Sequence, residues 1–201
     1  MTVTAVTFDF WQTLYRNRPI DVDARLRQMQ TDLAQTSGQI FSLDEIKTAV
    51  KVARRTWRKT WTAEHRTLAA GEWLAVMLNA LGVSISPADQ ARIENRMENS
   101  LLLDRPDVVE EVPAVLAELS TKYRLAVISD TGITPGRVLR QILQTDGRLD
   151  YFTQLTFSDE VGYSKPHPNS FLRTLEKLQA TPVSAVHVGD LLRTDILGAK
   201  S

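Results

Sequence analysis

Cysteine is absent from the 201 residues, which excludes disulfides, thiol nucleophiles and thiolate metal sites. Charge of one sign is not in excess either: Lys and Arg number 24, as do Asp and Glu. That balance gives no electrostatic reason to expect nucleic acid or an anionic membrane as a partner. The opening "MTVTAVTFDF" lacks the basic region and long apolar core of a signal peptide. The most apolar stretch, "LAAGEWLAVMLNALGV", is interrupted by Glu72 and Asn79 and is too short and polar to span a bilayer. Repeats and low-complexity tracts are missing too. A water-soluble, cytoplasmic protein is the simplest expectation. What the chain does have is 43% hydrophobic residues, enough for one substantial core and a smaller second unit.

Four short runs rich in Val, Ile, Thr and Phe read as buried strands: "VTAVTF" (3–8), "RLAVIS" (124–129), "TQLTF" (153–157) and "SAVHVG" (184–189). Helix-period segments lie between the later ones: "VVEEVPAVLAELSTKY", "PGRVLRQILQT" and "PNSFLRTLEKLQA". This alternation predicts an α/β fold, a Rossmann-like parallel sheet with helices on both faces. Residues 16–105 break the rhythm. They contain no clear strand and read as helices near 22–36, 43–69, 71–81 and 87–103, with "TSG", Gly71, Gly82 and "SISPADQ" as boundary signals. The expected division is an all-helical insert at 16–105 within a discontinuous core of 1–15 and 106–201.

Ligands of an open α/β sheet bind beyond the carboxyl ends of its strands. Asp9 follows the first predicted strand, Ser129 closes the second, Lys165 in "GYSKPHP" follows the third, and Asp190 in "HVGDLLRTD" follows the fourth. Each alone has an ordinary reading: a turn cap, a turn serine, a surface lysine, an acid at a helix start. Together they place a carboxylate, a hydroxyl, an ammonium and a second carboxylate around one crevice. With "FDFWQTL", "VISDTG", "GYSKPHP" and "GDLLRTD" in this order and spacing, the chain resembles the haloacid dehalogenase superfamily, in the branch with a helical cap inserted after the first strand.

The resemblance implies a hydrolase in which Asp9 is the nucleophile and forms a phosphoaspartyl intermediate. Ser129 and the backbone around it, Asp130 and Thr131 included, would bind the transferring phosphoryl group, helped by the start of the helix near "TPG". Lys165 would offset the charge of Asp9 and substrate. Asp9, Asp190 and the backbone carbonyl of Trp11 would hold Mg²⁺, with Asp195 bracing the metal shell. Hard oxygen ligands around Mg²⁺ and a nearby ammonium suit attack of one anion on another. The implied partner is a small phosphorylated substrate. His167, between two prolines, and His187, inside a strand, receive no catalytic role.

Trp11 stands where phosphatases of this superfamily usually carry a second Asp, which protonates the leaving alkoxide and then activates water. Indole does neither, and a positioned acid–base group contributes ~10²–10⁴-fold in rate. Three readings follow: a Mg²⁺-dependent phosphatase whose substrate needs little protonation or whose cap supplies the acid; a carbon–halogen hydrolase, since the dehalogenases also lack this Asp; and a degenerate member that binds without turnover. Dehalogenases work without metal and lack the "GDxxxxD" acids in this form, so Asp190 and Asp195 favour phosphoryl chemistry.

The insert offers a hint about substrate. Lys47, Lys51, Arg54, Arg55, Arg58, Lys59 and Arg66 face a single acid, Glu64, across that stretch. Ile46, Val50, Ala53, Trp57 and Trp61 form a stripe at helical spacing, with Arg54 and Arg58 beside it. Either this is a core stripe with a solvated basic face, or Arg54 and Arg58 draw an anionic substrate toward the crevice. Family members continue past "DILGAK" into a further helix and strand. Ending at Ser201 would leave a sheet edge that a truncated chain explains, and that would favour a homodimer.

Overall fold

The computed structural model describes residues 2–200. Strands β1 (Ala5–Phe8), β4 (Arg124–Ser129), β5 (Phe152–Phe157) and β6 (Ala185–Val188) form one parallel sheet in the order β5-β4-β1-β6. All four match the runs expected from sequence to within two residues at each end. Two further strands, β2 (Tyr15–Arg16) and β3 (Asp107–Val108), pair antiparallel. They clamp together the chain's departure from the sheet and its return. Sequence patterning misses this pairing because two residues per strand carry no periodicity.

Both faces of the sheet are covered, as alternation along each strand requires. On one face Val6, Phe8, Leu125 and Val127 join a core with α5 (Val112–Ser120) and α6 (Gly136–Thr145) through Val112, Leu116, Val138 and Ile142. On the other, Ala5 and Ala126 pack with Leu178, next to α8 (Pro168–Lys177). Small residues on that face let α8 approach closely. Each fully buried Leu, Ile or Phe contributes about 1.5–3 kcal/mol, so the first face supplies most of the core's stability.

Residues between β2 and β3 form α1 (Val22–Ser37), α2 (Leu43–Ala63), α3 (Ala70–Leu81) and α4 (Pro87–Leu103). They bury a separate cluster that includes Leu33, Ile46, Leu74, Met77 and Ile93. Ser42 and Glu45 make a reciprocal capping box at the start of α2. Helix α2 ends at Ala63, six residues before the expected limit, because the chain turns through a left-handed His65 (φ 47°). The loop after it reaches the sheet domain: the His65 carbonyl accepts from Ser164 N at 2.7 Å. No helix among the described residues is long and apolar enough to cross a membrane.

Strand β6 lies at the sheet edge, with Val186 and Val188 exposed. Sheet growth reverses side between β5 and β6, so the switch in strand order falls at β1. That is where an open α/β sheet forms its ligand crevice.

Candidate active site

Asp9 continues the ladder one residue beyond β1, its N–H donating to the Val188 carbonyl at 2.8 Å. The backbone therefore fixes where its carboxylate points. The following turn closes through Gln12 N to Tyr15 O at 2.7 Å and through Leu14 N and Tyr15 N to Phe10 O at 3.0 Å. The Trp11 carbonyl takes part in none of these bonds. The Trp11 ring meets Phe10 edge-on at 4.9 Å and packs against the sheet core.

Lys165 is the hub. Its Nζ donates to Asp9 Oδ1 at 2.6 Å and to Asp195 Oδ1 at 2.5 Å, with all three side chains almost fully buried. Burial opposes the ammonium, but the carboxylates of Asp9, Asp130 and Asp195 outweigh it and hold its pKa above the ordinary lysine value. Burial pushes the Asp9 pKa up, and Lys165 only partly offsets that. Asp195 is also desolvated, yet bonds from His187, Lys165 and Leu191 N hold its pKa down to about 2. A buried ammonium beside two carboxylates stays charged and draws Asp9 toward the anionic form a nucleophile needs.

Asp9, Asp190 and Asp195 each bring a carboxylate oxygen within 4.8 Å of the others. This is a hard-oxygen donor set of the kind Mg²⁺ takes. The three differ in role. Asp190 is exposed, whereas both Asp195 oxygens are already engaged, Oδ1 by Lys165 and His187 and Oδ2 by Leu191 N at 2.9 Å. Asp195 thus ties Lys165, His187 and the Leu191 backbone together. Gly189 permits this, because a Cβ there would fall on the Asp195 carboxyl group.

Ser129 is buried at the end of β4, and its hydroxyl donates to the Asp130 carbonyl at 3.3 Å. Asp130 is held on both oxygens: Lys165 N donates to Oδ1 at 2.7 Å and Trp61 Nε1 to Oδ2 at 2.7 Å. Thr131 faces elsewhere. Its N–H donates to Ser158 Oγ at 2.8 Å and its hydroxyl to Asp159 Oδ1 at 2.9 Å. A buried hydroxyl cluster of Thr67, Thr131, Ser158 and Ser164 ties the loop after α2 to three sheet loops. Arg54 and Arg58 lie on an exposed face of α2.

The start of α6, expected to help with phosphate, is occupied. Gly136 N donates to both Asp159 oxygens at 3.1 Å. Asp159→Ala is therefore expected to destabilise the fold by about 1 kcal/mol, the usual worth of an N-terminal cap; urea denaturation measures it.

Sequence reasoning missed Asp159 and His187. His187 Nε2 lies 3.2 Å from Asp195 Oδ1, and its Nδ1 lies 2.8 Å from Thr7 Oγ1. In-strand alternation alone makes it a packed histidine. Its polar role needs the β1–β6 register, in which Thr7 faces His187.

The arrangement can attack an electrophile with a desolvated carboxylate while an adjacent ammonium balances charge. Known proteins carry related chains. A haloacid dehalogenase-like hydrolase model matches residues 3–201. The 5-amino-6-(5-phospho-D-ribitylamino)uracil phosphatase YigB of Escherichia coli (strain K12) is 27% identical over 202 residues, covering 98% of this chain and 79% of that protein. A glyceraldehyde 3-phosphate phosphatase from Pyrococcus abyssi (strain GE5 / Orsay) is 37% identical over 79 residues, covering 39% of this chain and 32% of that protein. Among solved structures, a 2-haloacid dehalogenase from Pseudomonas syringae pv. Tomato DC3000 superposes with a TM-score of 0.72 at 25% identity, covering 99% of this chain and 83% of that one. With a family model matching residues 3–201, and a carboxylate, a hydroxyl, an ammonium and an acid cluster gathered beyond the strand ends, the chain belongs to the haloacid dehalogenase-like hydrolase family.

Proposed function

We propose that the protein is a Mg²⁺-dependent phosphatase of small phosphorylated metabolites, with residues 16–105 acting as a cap over a core of 1–15 and 106–201. The observation that carries this is Asp9 and Asp195 on one buried Lys165, with Asp190 alongside. The phosphatase relatives support it.

In this mechanism an Asp9 oxygen attacks phosphorus and the bond to the leaving oxygen breaks, its electron pair departing on that oxygen. Water then cleaves the phosphoaspartate, releasing inorganic phosphate and restoring Asp9. Ser129 donates its hydroxyl to a phosphoryl oxygen. Lys165 stays protonated throughout and balances the accumulating negative charge. Asp9, Asp190 and the Trp11 carbonyl would hold Mg²⁺, which supplies Lewis-acid screening when bound; Asp195 would steady those ligands.

The likeness to a dehalogenase structure supports a second reading, halide displacement by Asp9. The clustered Asp190 and Asp195 argue against it, since halide departure needs no cation. Phosphate release from phosphorylated metabolites with Mg²⁺, lost in chelator, is the expected result. Halide release from haloacids without metal would replace this reading with the other.

Trp11 makes a further prediction. With no acid at that position, aryl and acyl phosphates should be cleaved much faster than alkyl phosphates. Trp11→Asp should raise activity on alkyl esters by up to ~10²-fold, the low end of a general acid's contribution, and change good leaving groups little. Loss of the ring's packing on Phe10 should cost stability. A leaving-group series on both variants decides. Equal rates on alkyl and aryl esters in the wild type, with no gain in the variant, would mean another group supplies the proton.

A further inference from the structure

Helix α2 ends unlike the rest of its apolar stripe. Ile46, Ala49 and Ala53 are buried in the helical cluster, and Trp57 packs against that cluster. Trp61, one turn later, leaves it. Its ring stacks on Trp57 at 5.3 Å with 16° between planes, and its Nε1–H is bonded to Asp130 Oδ2 at 2.7 Å. Asp130 directly follows Ser129, and its other oxygen is held by Lys165 N. The indole pair is thereby fixed beside the phosphoryl pocket. The helical turn Leu192–Ile196, which follows β6, sends the Arg193 guanidinium over the Trp61 ring, 4.2 Å from its centre. Arg193 is exposed and makes no ion pair among the described residues.

We propose that Trp57, Trp61 and Arg193 form the leaving-group subsite, and that it selects phosphate esters carrying a planar heteroaromatic ring. The proposal rests on the phosphatase reading and names its substrate class. Two stacked indoles offer flat, polarisable area that rewards a flat ring and gives little to a short, flexible polyol chain. Arg193 now covers Trp61, so an incoming ring takes its place on the indole and the guanidinium stacks on that ring instead. Its donors, unspent on any carboxylate, suit the carbonyl and ring-nitrogen acceptors of a heterocycle and have nothing to bond on a hydrocarbon ring. Gly132 in the facing loop lies against the pair: a Cβ there would sit in ordinary contact, 3.7 Å from Trp57 Nε1.

The test is a kcat/KM panel with Mg²⁺ on the full chain, using nucleoside 5′-monophosphates and flavin mononucleotide against glycerol 3-phosphate, with acetyl phosphate as the ring-free reference. Ring-bearing esters should exceed glycerol 3-phosphate by on the order of 10-fold or more, the range of one good stacking contact. Trp57→Leu, and independently the exposed Arg193→Ala, should remove most of that advantage through KM and lower acetyl phosphate turnover far less. Equal rates on both ester classes, or variants that slow all substrates alike, would overturn the proposal and leave the indoles as a buttress between helices and sheet. Silence on every substrate, acetyl phosphate included, would sink the phosphatase reading. Quenching of tryptophan fluorescence by nucleoside 5′-monophosphates, but not by glycerol 3-phosphate, and weakened by Arg193→Ala, would then still support the subsite. Equal quenching by both ligands would not.

Discussion

Asp9→Asn is expected to abolish turnover, lowering it by roughly 10⁴-fold or more, as removal of a nucleophile does elsewhere. An amide attacks neither phosphorus nor carbon at a useful rate. The fold should survive. Asn retains an oxygen at the acceptor position that Lys165 Nζ now meets at 2.6 Å, and Lys165 keeps its bond to Asp195. Burial already raises the Asp9 pKa, so replacing a desolvated charge with a neutral group should leave the melting temperature equal or higher. Mg²⁺ affinity should fall as well, because the same carboxylate is a proposed ligand. Phosphate release, circular dichroism and calorimetric Mg²⁺ titration test these points separately. Activity within about tenfold of wild type would end the covalent mechanism, since that is only about 1.4 kcal/mol of barrier.

Lys165→Met should have the largest effect on stability. The buried ammonium neutralises Asp9 and Asp195 together, and its loss leaves two desolvated carboxylates facing each other. Breaking a buried pair by removing one partner costs about 3–5 kcal/mol, which for a chain of this size lowers the melting temperature by roughly 6–20 °C. Thermal denaturation in chelator measures this directly. Added Mg²⁺ should raise the melting temperature more in the variant than in the wild type, because a cation bound to the same carboxylates replaces part of the missing charge. A melting temperature equal to wild type in chelator would mean that Asp9 and Asp195 are protonated or solvated in the folded protein, contrary to the buried triad.

Much of this organisation was legible in sequence. The runs 3–8, 124–129, 153–157 and 184–189 show as strands because a buried parallel strand needs a continuous apolar, β-branched stretch. The helices of 16–105 show because each buries one face at a helical period, with Gly82 marking an end and "SISPADQ" a start. Chemically, Asp9, Ser129, Lys165 and Asp190 share one property that needs no coordinates: each follows or closes a strand, and parallel strands bring their carboxyl ends to one side of the sheet.

Contacts between distant segments were a different matter. Trp61 continues the stripe of Ile46, Ala53 and Trp57 in sequence, so spacing gave no sign that it turns to Asp130. Asp159 reads as an acid in a short loop, and only the approach of α6 to the end of β5 puts it on Gly136 N. His187 reads as a packed residue until β6 lies beside β1 and brings it to Thr7 and Asp195. The basic face with Arg54 and Arg58 was visible as a pattern, and in the fold both residues are exposed. Local periodicity and strand-end position depend on neighbours in the chain, and these set the elements, their order and the list of reactive groups. Partners of buried polar groups depend on packing between segments as far apart as Lys165 and Asp9, |i−j| = 156. Desolvation makes each such group take a partner, and only the tertiary structure decides which one.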